Sequence, residues 1–291
     1  MSTDPQSPPE TSVPSCYRHP GRETYVRCTR CDRYICPDCM RDAAVGHQCP
    51  ECVAEGNRGV RQPRTAFGAR AAASATPVVT YSLIAACVLV YVAELASWRV
   101  IAELQMIGRW GSIGVAEGEW YRLFTAMFLH ERGGNYGFLH ILLNMLVLWM
   151  LGPALEQVLG RWRFLTLFVL SGLGGWVLLY LVDPGVGGLG ASGAVFGLFG
   201  AYFMVVRRMG GQLGPIVMVL GINLVLTFTM AAISWQAHIG GLVVGGLLGL
   251  AFAYAPAARR TLVHVGAPVA TLVLLLALVA LKTAELNSGV A

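Results

Sequence analysis

Charge is scarce in this chain. Only 13% of its 291 residues are Asp, Glu, Lys or Arg, against about 25% in an ordinary soluble domain. Hydrophobic residues make up 55%, and the mean hydropathy is +0.59. Such a balance suits a protein dissolved in lipid better than one with a large aqueous surface. Cysteine is almost missing from the apolar part, since seven of the eight lie before residue 77 and the eighth is Cys87. The opening "MSTDPQSPPETSVPS" lacks the charged-then-apolar order of a cleavable signal. Its Pro/Ser content makes residues 1–15 an expected disordered lead-in. The net charge of +5 is weak support for a nucleic-acid partner, and none is expected. The excess arginines sit in short connections between apolar runs, where membrane topology accounts for them.

The cysteines that are present come in knuckles. Cys16/His19, Cys28/Cys31, Cys36/Cys39 and Cys49/Cys52 are each separated by two residues. Two ligands at that spacing can hold one tetrahedral ion, so four pairs suffice for two closed zinc sites. His47 is a ninth candidate ligand. A disulfide framework is the competing reading, but seven cysteines arranged as paired knuckles favour metal. Thiolate ligation also implies a reducing compartment, which puts this head in the cytoplasm. The order of pairs resembles a B-box-type zinc finger, which implies that pairs one and three hold one ion and pairs two and four the other. The last pair departs from that family, which usually ends in histidines. Closed sites leave no open position for chemistry, so residues 16–52 are read as a small zinc-stabilised domain that is structural or binds a cytoplasmic protein partner. Residues 53–76, with Arg58, Arg61, Arg64 and Arg70 among Gly, Ala and Pro, read as a basic linker against anionic lipid headgroups.

A membrane span takes about 20 mostly apolar residues. Seven candidates follow, at about 77–97, 137–156, 163–182, 191–206, 215–232, 235–256 and 262–282, the fourth short and the fifth and sixth divided by "AAISWQ". Arginine is missing from the connections after the third and fifth spans. It is present in the others, as Arg161 and Arg163, Arg207 and Arg208, and Arg259 and Arg260. Positive charge stays inside, so this bias agrees with a cytoplasmic head. Residues 98–136 then lie outside and are expected to form a structured hairpin partly in the interface.

Polar side chains inside spans are costly and often functional. Those singled out are His140, Asn144, Glu156, Ser192, Asn223 and His238. The second, fourth and sixth spans run the same way, and His140, Ser192 and His238 fall near the outer start of each, with Asn144 one turn on. His140 and Asn144 share a helix face. Gly241, Gly245 and Gly249 follow His238 at four-residue spacing, and Gly193, Gly197 and Ala201 follow Ser192 in the same way. Such stripes let helices approach closely, which would bring hydroxyl and imidazole together as a nucleophile and its base. An acid at that depth is missing from these spans, so the unit is a dyad. His140, Asn144 and the Ser192 amide can serve as oxyanion donors. The soluble-hydrolase elbow G-x-S-x-G is also missing, because position 194 is Ala.

"EWYRLFTAMFLH", "HILLNMLVLWMLG", "GASGAVFG" and "AHIGGLVVG", in this order, resemble a rhomboid intramembrane serine protease over about residues 77–260. The resemblance implies an all-α polytopic membrane protein, a rhomboid-like helical bundle with about seven transmembrane helices. Six spans over 77–260 form its protease core, and 261–291 add a C-terminal helix and tail. It implies Ser192 as nucleophile, His238 as general base, and His140, Asn144 and the Ser192 amide around the oxyanion. Trp120 and Arg122 match the family's first-loop motif and Glu156 its acidic residue, all three structural. Phe196 stands where the family often has tyrosine, against the His238 ring. The gap "ERGGNYGF" between His130 and His140 is longer than in bacterial relatives. His264 reads as solvated or snorkelling. The implied activity is cleavage of transmembrane segments in membrane-protein substrates, with no metal needed for catalysis. The implied setting is a bacterial plasma membrane, with the site open to the outer face. A catalytically silent rhomboid-like protein that binds membrane clients is the alternative. A small-solute transporter is a third reading, but the midplane charge and inverted repeats expected of one are missing.

Overall fold

A computed structural model describes residues 13–58, 65–68, 76–133, 137–230 and 233–288. The chain divides into two compact units, Met1–Gln62 and Pro63–Ala291. Most of the expected lead-in, and Arg61, Arg64 and Arg70 of the expected linker, lie outside the described residues.

In the first unit two short antiparallel ribbons pair β1 (Ser15–Cys16) with β2 (His19–Glu23), and β3 (Arg41–Asp42) with β4 (His47–Gln48). A helix α1 (Pro50–Arg58) follows. Residues 53–58, the start of the expected linker, continue the helix that carries Cys52. The buried cluster here consists of Cys16, Cys28, Cys36, Cys39, Cys49 and Cys52 with one aliphatic side chain, Ile35. A domain this small cannot balance its chain entropy with so little apolar burial.

The second unit is helical. Its long helices are α2 (Val78–Ala96), α5 (Gly137–Leu159), α6 (Arg161–Val182), α7 (Ser192–Arg208), α8 (Gly214–Thr229), α9 (Trp235–Tyr254) and α10 (Arg260–Asn287). In hydrocarbon each backbone group must find a partner within the protein, which only a helix or a closed barrel achieves for a lipid-exposed span. Five of these helices are long and apolar enough to cross a membrane; α8 is apolar but shorter, and α7 has only 17 residues. The division of 215–256 into two helices is present, as α8 ends at Thr229 and α9 starts at Trp235. Two residues of the connection, 231 and 232, lie outside the description.

The first loop is structured, and its strand reaches beyond the loop itself. It carries short helices α3 (Trp98–Leu104) and α4 (Arg122–Thr125), and its strand β5 (Met106–Ile107) pairs with β6 (Gly187–Gly188) from the loop before α7. Arg122 organises it. Its Nε donates to Glu119 at 2.7 Å, and Nη1 donates to the Ala102 and Gln105 carbonyls at 3.1 Å each. That guanidinium holds the Glu119 carboxyl below its usual range. Glu156 has an equally definite task. Its carboxylate accepts the Val79 and Thr80 amides and the Thr80 hydroxyl at 2.8–3.0 Å, meeting the unsatisfied N–H groups and positive dipole end of α2.

Helices α6, α7 and α9 form the centre. A Cβ on Gly241 would run into the Gly193 backbone, one on Gly245 into Gly197, and one on Gly249 into Ala201. The two small-residue stripes therefore meet rung for rung, and they fix the register of α7 on α9. Leucine at Gly241 is expected to lower the denaturation midpoint, at a cost of about 1–3 kcal/mol or more, because backbone on the other helix cannot give way. Gly221→Ala, where nothing lies within 4 Å of the added atom, is expected to leave it unchanged. A thermal or SDS denaturation series compares the two.

His264 contradicts its expected solvated position. It is 1% exposed, with Nε2 3.1 Å from the Phe252 carbonyl. The reason is tertiary: α10 packs on α6 and α9, which turns this face inward.

Candidate active site and metal groups

Ser192 is the first residue of α7, half-buried after a glycine-rich loop. Its amide lies in the first helical turn, where no carbonyl one turn back is available to it. Gly190 precedes it with φ 129, a conformation L side chains avoid, and its amide is held by the Ala126 carbonyl at 2.9 Å. A Cβ at Gly190 would lie 2.9 Å from both Cε1 and Nε2 of His140 and 3.8 Å from Ser192 Oγ. Histidine and serine thus border one small space, and only glycine keeps it open.

The His140 tautomer follows from its partner. Nδ1 faces the Glu131 amide at 3.2 Å, and since that N–H donates, Nδ1 accepts. In a neutral imidazole the proton then sits on Nε2, the edge next to Gly190 and Ser192. Asn144, buried one turn along α5, donates one Nδ2–H to the His140 carbonyl at 2.9 Å, which leaves its second N–H.

His238 lies in the first turn of α9, 8% exposed. Its ring stacks on Phe196 with centroids 4.1 Å apart and planes 17° from parallel. Neighbours of the pair touch directly, since a Cβ on Gly193 would meet the Ala237 carbonyl at 3.0 Å. The stripe contact therefore packs the residues next to Ser192 and His238, at the starts of α7 and α9, against each other. Asn223 is half-buried, and its side chain donates to its own helix at the Val219 carbonyl. His130 remains beside His140 despite the longer gap, with ring centroids 5.3 Å apart.

Sequence reasoning passed over two residues near this end of the bundle. Glu94 of α2 is fully buried, and its carboxylate accepts the His130 amide at 3.0 Å. Its charge inside "YVAELASW" was the available signal. Thr227 of α8 places its hydroxyl 2.7 Å from His238 Nδ1; its only signal was the spacing of four from Asn223.

The rhomboid domain family matches residues 117–255, which hold all of these helix-borne groups except Glu94. YdcA of Bacillus subtilis is 35% identical over 178 residues, 59% of this chain and 86% of that protein. The chain belongs to the rhomboid family. The rhomboid protease GlpG of Salmonella newport is 34% identical over 214 residues, 70% of this chain and 72% of its own. The rhomboid protease GluP of Bacillus subtilis is 35% identical over 139 residues, but these are only 26% of its length. Family and apolar helices together make this rhomboid an integral membrane protein.

Ahead of the matched rhomboid residues, the first unit brings its ligands into two groups: Cys16, His19, Cys36 and Cys39, and Cys28, Cys31, Cys49 and Cys52. The groups combine pairs one with three and two with four. Within each, all ligand atoms lie within 4.8 Å of one another. His19 Nδ1 is 3.2–3.7 Å from three sulfurs, and Cys31 and Cys49 are 3.8 Å apart. A metal–sulfur bond of about 2.3 Å in a tetrahedron puts sulfurs about 3.8 Å apart, so the groups fit a metal ion. Backbone N–H groups of Cys49 and Cys52 point at Cys28 and Cys49 sulfurs at 3.2 and 3.3 Å, and Arg33 Nε donates to Cys31 at 3.3 Å. Burial and neighbouring sulfurs push Cys39 up to about 11 and Cys52 up to about 12. A dication bound in each group would reverse that penalty. His47 lies outside both groups, its ring 3.5 Å from Asp42.

Proposed function

We propose that this rhomboid hydrolyses peptide bonds in transmembrane segments of membrane proteins, with Ser192 as nucleophile and His238 as base. Intramembrane serine proteolysis is the chain's activity, and the geometry favours these residues for it. The observation that carries it is the space at Gly190, bordered by Ser192 Oγ and by the protonated edge of His140.

Attack transfers the Ser192 proton to His238 Nε2 while Oγ bonds to the scissile carbonyl carbon. The carbonyl π pair moves to oxygen, and His140 Nε2–H, the free Asn144 N–H and the Ser192 amide stabilise that oxyanion. Collapse expels the amine, which takes the proton from His238. Water then gives a proton to Nε2 and attacks the ester, and Ser192 leaves with that proton returned. A peptide carbonyl inside a regular helix is occupied by its own hydrogen bond, so segments with helix-weakening residues are the expected substrates. In this reading the protease core covers 77–260, and 261–291 add the seventh helix and tail. The head, prolonged to residue 58 by α1, holds two zinc ions. Zinc is the metal best suited to closed tetrahedral sets of four thiolates, or of three thiolates and one imidazole. The head lies in the cytoplasm with its own protein partner, and the site opens to the outer face of a bacterial plasma membrane.

A fluorophosphonate probe tests the assignment. Labelling of purified protein is expected to map to the peptide containing Ser192 and to vanish in Ser192→Ala. A label on another serine, with reporter cleavage intact in that variant, would sink it. A silent client-binding protein takes no label and cuts nothing.

A further inference from the structure

The dyad has a third group. Thr227 Oγ1 is 2.7 Å from His238 Nδ1 and also 2.7 Å from the Asn223 carbonyl one turn back on α8. A hydroxyl has one proton and can accept twice. The Asn223 carbonyl can only accept, so at 2.7 Å it takes the Thr227 proton; otherwise two oxygens would face each other with no hydrogen between them. Thr227 then has only lone pairs for the imidazole, and His238 Nδ1 must be the donor. In a neutral ring the proton on Nδ1 leaves Nε2 bare, as the base needs.

A threonine bonding back to its own helix is common and by itself means nothing. Here the hydroxyl also bridges to another helix, and it is 3% exposed. Only Ile216 and Thr227 are buried on α8, whose Val217, Met218, Ile222, Val225 and Phe228 are all more than half exposed. The helix offers one buried polar group to the bundle, and that group meets the catalytic imidazole. No carboxylate among the described residues bonds to this ring.

Resting on the protease reading above, we infer that Thr227 is a positioning residue that fixes the reactive tautomer and ring orientation of His238, the task a buried aspartate performs in a triad. An aspartate also stabilises the imidazolium by charge, and its replacement by asparagine in the soluble template costs on the order of 10⁴-fold. A neutral hydroxyl supplies one ordinary hydrogen bond, so the expected loss is smaller, about tenfold in kcat.

The test uses the full chain in lipid bilayers, with ¹⁵N-labelled histidine and His238 assigned by its loss in His238→Gln. Wild type and Thr227→Ser are expected to show a protonated Nδ1 and a bare Nε2. Thr227→Val, which keeps the shape and removes the hydroxyl, is expected to shift population toward protonated Nε2. With a transmembrane reporter, Thr227→Val is expected to lose about tenfold in kcat at unchanged KM, and Thr227→Ser to recover it. A wild-type ring protonated mainly on Nε2 overturns the inference. So does a valine variant with unaltered tautomer and kcat. The tautomer is read without any cleavage, so failure of the protease reading, seen as a wild type that cuts nothing, remains a separate result.

Discussion

Cleavage of a transmembrane reporter by Ser192→Ala is expected to fall at least about 10³-fold below wild type, measured in proteoliposomes under single-turnover conditions. In the proposed mechanism alanine removes the atom that forms the acyl bond, leaving the oxyanion donors to assist only direct attack by water. His238→Ala is expected to lose as much, and the double variant to lose no more than either, because nucleophile and base act as one unit. His140→Ala should cost less, about 10²-fold, the usual effect of one oxyanion donor. This order discriminates the proposed roles from a general loss of structure. Ser192 is half-buried at a helix start with no packed side chain to lose, so its thermal midpoint should stay near wild type. Equal cleavage by wild type and Ser192→Ala would remove Ser192 from the mechanism.

Removal of metal from the head is the second large effect. Its buried cluster holds six cysteines and Ile35, so under the proposed zinc assignment folding free energy comes from ligation, about 10–16 kcal/mol for a structural zinc site in a small peptide domain. Gentle purification is expected to yield about two zinc ions per chain, one for each ligand group. A strong chelator is then expected to open the head to trypsin at its exposed arginines, among them Arg22, Arg27 and Arg30. Cys36→Ser should mimic one half of that loss. Cys87→Ser, a buried cysteine of α2 outside both groups, should retain both ions. Zinc near zero per chain, or a head still resistant after chelation, would defeat the proposal.

The legible parts of this protein were those with a period or a pairing. Apolar runs and their interruptions placed the seven long helices to within a few residues, because a lipid-facing segment must be continuous and helical. The Gly193/Gly197/Ala201 and Gly241/Gly245/Gly249 stripes announced a close helix contact, and that contact is present rung for rung. Ser192 and His238 stood out because a polar group is costly in an apolar helix. Other features were invisible for equally physical reasons. His264 was read as solvated because its exposure depends on the face α10 turns inward. Residues 53–58 read as linker because Gly and polar residues hide a short helix that the preceding ligand pair starts. Thr227 looked like an ordinary apolar-helix threonine, since its partner is eleven residues away on another helix.

The sequence by itself determined the division into a cysteine head and a membrane bundle, the order of the long helices, and the residue types gathered at one end. Those follow from hydropathy, ligand spacing and helical period, which are properties of local chain segments. The tertiary structure alone decided which group faces Nδ1 of His140 and of His238. At His140 that group is the Glu131 amide, and at His238 it is the Thr227 hydroxyl, from which we infer the reactive tautomer. A proton's position on an imidazole is set by the group that faces it, and that neighbour exists only once the helices have packed.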